Sequence, residues 1–223
     1  MSETHTAVAH LSHQAHQFDT PTQQREAGTL GMWIFLATEI LFFGGMFASY
    51  TVYRSKYPDV FALASRSMDV GLGTLNTIVL ICSSLTMAMA VYCSATGKQK
   101  WIVPFLVLTI ILGLAFLGVK SIEYYQKYTE HHIPGHGFHL EGTDAQSAQV
   151  FFSLYFAMTG LHALHMIIGI GIVSTIAYLA YHGTYTPEYN TPVEITGLYW
   201  HFVDIIWIFL YPLLYLVGRH LGH

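Results

Sequence analysis

The chain has 223 residues, 53% of them hydrophobic and only 10% charged, with a formal net charge of −4. An average soluble domain carries roughly 25% charged residues, so this composition excludes an ordinary soluble globule and a disordered chain. Nine Lys and Arg provide no basic face, which excludes a nucleic-acid partner.

The first 27 residues are polar and carry His5, His10, His13 and His16. No basic n-region, short apolar core and small-residue cleavage site precede the first apolar run, so no cleaved signal peptide is expected. A spanning helix needs about 20 mostly apolar residues. Five segments meet that length, at approximately 28–54, 70–97, 101–128, 146–182 and 194–219. The expected fold is all-α: a polytopic membrane protein with five transmembrane helices in a bundle over residues 28–223, behind the His-rich tail. Cys82 and Cys93 fall on the second segment, 11 residues or about 16 Å apart, and cannot bridge. Pro212 falls inside the fifth segment and should kink it. Gly44, Gly45 and Ala48 on the first segment, and Gly160, Gly169 and Gly171 on the fourth, offer small faces where helices can approach.

Ionisable groups within a membrane are costly, so each is a functional candidate. Glu39 lies about 15 Å into the first segment with no Lys or Arg at similar depth. Such a carboxyl is expected to be neutral or hydrogen-bonded; tying two helices together is the alternative to a proton-linked role. His162 and His165 share a face of the fourth segment at i, i+3. Two imidazoles alone fall short of a metal site, so helix-packing histidines bonded to Glu39 or a carbonyl are favoured and no metal site is expected. His201 and Asp204 repeat the i, i+3 spacing on the fifth segment, where Asp could hold the imidazole. Trp200 and Tyr199 beside them read as interfacial aromatics. Glu123 follows Lys120 by three near the end of the third segment, a helix-end ion pair. The tail histidines titrate near neutrality and are a candidate proton antenna, or simply a solvated tail. No phosphate-binding or dinucleotide glycine motif and no Cys-x-x-Cys-His haem attachment occurs.

The segments carry longer ordered strings: Gly31-Met-Trp-Ile-Phe-Leu-Ala-Thr-Glu39-Ile-Leu-Phe-Phe, Leu75-Asn-Thr with Ser83-Ser-Leu-Thr86, Glu123-Tyr-Tyr, Gly160-Leu-His-Ala-Leu-His165, and Tyr199-Trp-His-Phe-Val-Asp-Ile-Ile-Trp207. On these strings the chain resembles subunit III of the haem-copper oxidases, the cytochrome c and quinol oxidase group. The resemblance covers about residues 28 to 219. It implies an accessory, non-catalytic subunit of an oxidase that reduces O₂ to water with proton pumping in the partner. No cofactor is expected in this chain; haem and copper sit in partner subunits, and bound phospholipid is implied. The expected partners are subunit I directly, subunit II, other small subunits or a respiratory supercomplex, and membrane lipids. Glu39, Glu123, His162, His165, His201 and Asp204 are carried over as intramembrane polar residues, and Trp200 and His201 as lipid-binding. The implied location is a bacterial cytoplasmic membrane, with the N-terminus cytoplasmic and the C-terminus periplasmic. The fuller family form has seven helices, and this chain aligns from the third, so its lipid cleft would be incomplete unless another chain supplies the rest.

Lys and Arg oppose that orientation: Arg25, Lys98 and Lys100 would lie inside, against Arg54, Lys56, Arg66, Lys120, Lys127 and Arg219 outside. Segment order is the more specific signal and is preferred. Three other readings stand beside the leading one. They are the related small subunit of some nitric oxide reductases, a stand-alone His-liganded membrane metalloenzyme, and a proton-coupled transporter. The electron donor, cytochrome c or quinol, is not encoded in these residues.

Overall fold

The computed structural model describes residues 15–130, 134–135 and 145–217. Among these residues six α-helices follow in order: α1 Pro21–Lys56, α2 Pro58–Arg66, α3 Val70–Ala95, α4 Gln99–Thr129, α5 Ala145–Tyr181 and α6 Thr191–Tyr211. The last continues into a π-helical turn, Pro212–Leu216. No strand occurs among the described residues, and five of the helices are long and apolar enough to cross a membrane.

Local chemistry sets the ends. Thr20 caps α1, its hydroxyl accepting from Gln23 N at 3.1 Å with Pro21 in the first turn, a favoured N-terminal arrangement. That cap starts the helix seven residues before the expected position 28, so the first helix takes in the end of the stretch read as polar tail. Asp69 caps α3 through Leu72 N. Gly97 and Gly183, at φ 71° and 74°, close α3 and α5. In both, the next residue's N–H reaches back five positions (Lys98 to Cys93 O, Thr184 to Leu179 O), a left-handed geometry that favours glycine.

Between the first two expected segments, which end at 54 and begin at 70, Pro58–Arg66 is helical, with Phe61, Ala62, Ala64 and Ser65 buried. Its Phe61 ring meets Tyr50 and Phe151, both at 5.3 Å, so α2 lies across the ends of α1 and α5. Pro212 lacks the N–H an α-helix would need there, and the chain widens into the π turn at that residue instead of kinking mid-helix.

The helix α6 is the hub. It packs against α1, α3 and α5, while α4 closes the bundle between α3 and α5. Eleven residues of α6 are buried, against three in α1 (Leu36, Phe43 and Tyr50). In lipid, expulsion from water does not hold helices together; close packing and polar contacts must do so. Both are visible. A Cβ at Gly113 would stand 2.9 Å from Trp200, and one at Gly169 3.1 Å from the same ring, so two glycines form the slot for that indole. Between α3 and α4, Thr86 and Thr109 share a hydroxyl hydrogen bond of 2.7 Å.

Candidate functional site

Among the described residues, the intramembrane candidates read from the sequence fall at four places in the bundle. The first joins α1 to α5. Glu39 Oε2 lies 3.3 Å from His165 Nε2, with side chains 19% and 11% exposed, so the contact is shielded but not sealed. The distance suits an ion pair, and the angle falls outside hydrogen-bond geometry. His165 Nδ1 lies 2.9 Å from Leu161 O. A carbonyl can only accept, so Nδ1 carries a proton. The Nε2 of a neutral ring then has a lone pair toward Glu39. Tyr199 OH donates to His165 O, which adds α6 to the same junction.

His162 behaves differently although it sits three residues away. It is 1% exposed, and neither ring nitrogen has a hydrogen-bond partner among the described residues. Its ring packs at 5.3 Å from Phe116 and 5.2 Å from Trp207. The expected bond to Glu39 or a carbonyl is thus made by His165 and not by His162. Rotation of roughly 60° between i and i+3 is enough to place one on the α1 seam and the other in the interior.

The third group is larger than the expected helix-end ion pair. Lys120 Nζ donates to Glu123 Oε2 at 3.0 Å, to Tyr215 OH at 2.8 Å and to Tyr155 OH at 3.3 Å. Tyr155 and Tyr215 both donate to Glu123 Oε1. Lys120 and Glu123 are 3% and 0% exposed, so this is a closed internal network joining α4, α5 and the π turn. The ammonium also lies within 5.5 Å of the rings of Tyr124, Tyr155, Trp207 and Tyr215, a cation–π cage.

The fourth lies between α3 and α6. His201 Nδ1 is 2.8 Å from Ser84 Oγ. Asp204, 4% exposed, lies beside the same Ser84 hydroxyl and makes no hydrogen bond to His201, so the expected Asp–His pairing is not formed. Trp200 is fully buried, its indole N–H donating to Ser83 Oγ at 3.1 Å; in this chain it faces the interior and not lipid. Outside the spans, burial pushes the Tyr185 phenol up to about 12.

Ser84, the two tyrosines and Asn76 were not singled out from the sequence as site residues. Asn76 is fully buried on α3 with no side-chain hydrogen bond among the described residues. An amide in an apolar helix was a usable signal for it; nothing in the spacing marks Ser84. His16 is exposed, while His5, His10 and His13 lie outside the described residues. Among the described residues no three His, Cys, Asp or Glu side chains converge as a metal would require.

Against known proteins, residues 13–219 match the family model described as cytochrome c oxidase subunit III. The chain is 30% identical over 210 residues to the probable quinol oxidase subunit 3 of Staphylococcus haemolyticus, covering 93% of this chain and 98% of that protein. It is 33% identical over 198 residues to the quinol oxidase subunit 3 of Bacillus subtilis, covering 87% and 91%. The corresponding Staphylococcus aureus protein is 29% identical over 210 residues. With five apolar helices folded as one bundle and a match running through all of them, the chain is an integral membrane protein of the cytochrome c oxidase subunit III family.

Proposed function

We propose that this chain is the accessory third subunit of a respiratory haem-copper terminal oxidase in a bacterial cytoplasmic membrane, fed by a quinol. The relatives named as quinol oxidase subunits support the choice of donor over cytochrome c. Haem and copper belong to the partner subunits, subunit I in direct contact and subunit II beside it, and O₂ reduction and proton pumping occur there. Phospholipid fills the remaining surface.

The free face of α1 carries the reading. Leu30, Trp33, Ile34, Ile40, Leu41 and Phe42 are exposed, and a Cβ at Gly31, Gly44 or Gly45 would meet nothing within 4 Å. Within this chain those glycines pack against nothing, and small residues on a membrane helix allow a second backbone to approach. This face docks on subunit I. Glu39 and His165 hold α1 on the bundle from the opposite side, keeping the docking helix in register. The tail histidines, facing the cytoplasm, exchange protons at the uptake side.

The test is Glu39→Ala in the intact oxidase. Haem content per complex should remain at the parent level. Retention of this subunit through purification should fall several-fold, the loss expected from one intramembrane polar contact worth about 1–2 kcal/mol. Loss of haem from the complex, or a subunit retained as firmly as the parent, contradicts the assignment. Turnover of nitric oxide in place of O₂ would shift it to the reductase relative.

A further inference from the structure

Two fully enclosed side chains have polar atoms without a hydrogen-bond partner among the described residues. His162 on α5 is 1% exposed with both ring nitrogens unbonded, and Asn76 on α3 is 0% exposed with its amide oxygen and nitrogen unbonded. Trp207 places the two at one level of the bundle. Its ring lies 5.2 Å from that of His162, and its indole N–H donates at 3.1 Å to Thr77, the residue after Asn76. Both also border the Lys120–Glu123 network. Lys120 Nζ is 5.0 Å from the same Trp207 ring and acts electrostatically on His162. Asn76 shares a face of α3 with Gly73, where a Cβ would stand 3.0 Å from Tyr215.

Buried amides and imidazoles are nearly always hydrogen-bonded, to protein or to ordered water. The chemistry of these two decides between ligands. An amide presents an acceptor and a donor, and so does a neutral imidazole, so the occupant must both accept and donate. Enclosure excludes a lipid or an organic ligand. An apolar gas molecule supplies no donor. A metal ion cannot accept from the amide N–H, and among the described residues no three metal-binding side chains converge. Water does both. It requires two to four polar partners, and the neighbouring network has capacity to spare. The Tyr155 and Tyr215 hydroxyls each accept from Lys120 and donate to Glu123, which leaves each oxygen one lone pair.

We propose that His162 and Asn76 each bind ordered water inside the bundle, and that this water joins both side chains to the Lys120–Glu123 network. The protein atoms of that network come from α4, α5 and the π turn. Water on Asn76 extends it to α3, so that one hydrogen-bonded unit ties the four-helix part of the bundle together.

The test is a density map of the intact complex at a resolution that shows ordered water elsewhere inside its membrane domain. Peaks are expected within about 3.2 Å of a His162 ring nitrogen and of the Asn76 amide. His162→Phe should abolish the first and leave the second, and Asn76→Leu the converse. A parent map without a peak at either residue overturns the proposal, as does a peak that persists in its own variant. Thermal midpoints of the two variants give an independent sign. Apolar replacement of a polar group that bonds to nothing raises the midpoint, whereas replacement of one that holds water loses its bonds and lowers it. A rise in both variants overturns the proposal. If a variant does not assemble, the parent map decides. The inference rests on the fold and not on the functional reading above, since the peaks are read whatever haem the complex carries.

Discussion

Lys120 and Glu123 form an ion pair in a medium that penalises charge, and the pair persists because almost every hydrogen-bonding site on it is used. Two phenols supply what the ions lack, and the aromatic cage screens the ammonium further. Removing one partner leaves an uncompensated buried charge, a loss of about 3–5 kcal/mol in comparable pairs. Lys120→Met should therefore sharply lower the thermal midpoint of this subunit in the purified complex. The double variant Lys120→Met, Glu123→Gln should recover most of that loss. A single variant as stable as the parent would show that the network contributes nothing net. Sequence revealed the pair through its i, i+3 spacing but not its burial. The tyrosines that complete it stand 32 and 92 residues from Glu123, beyond the reach of any local spacing. Similarly, the shared spacing of His162 and His165 was readable, while their division between interior and seam depended on where α1 and α6 come to lie.

At the scale of elements, glycine does two opposite jobs that look identical in one dimension. Gly113 and Gly169 make the slot for Trp200, and Gly197 has Val91 only 2.7 Å from where its Cβ would be. Gly31, Gly44, Gly45 and Gly171 face open space. Gly113→Ala must push on the end of a rigid indole and should cost about 1–3 kcal/mol, the usual range for overpacking. Gly171→Ala should leave stability within experimental error. A thermal-shift comparison of the two variants in the complex checks the contrast, and equal midpoints would refute the slot. Apolar length alone made the five spans legible, and proline and small-residue positions hinted at their contacts. Missing from that pattern were α2, whose nine residues are too short to register as a span, and the start of α1, whose polar first turns depend on the Thr20 cap.

For the molecule as a whole, the charge count that opposed the family orientation weakens once the fold is known. Lys120 is consumed in the internal network, and Lys127 is 4% exposed, donating to Ser67 O at 2.8 Å and Glu130 at 2.6 Å. Neither is a free loop cation of the kind the positive-inside rule counts. Without those two lysines the count is four, Arg54, Lys56, Arg66 and Arg219, on one side against three, Arg25, Lys98 and Lys100, on the other. The orientation then rests on the family and can be measured. In a Cys82→Ser, Cys93→Ser background, Lys100→Cys should react with a membrane-impermeant maleimide only in inverted vesicles, and Lys56→Cys only in right-side-out ones. Both native lysines are exposed at helix ends, so the probes report topology and not packing. The reverse pattern would place the histidine tail on the release side of the membrane, and its role in proton uptake would fall with the orientation.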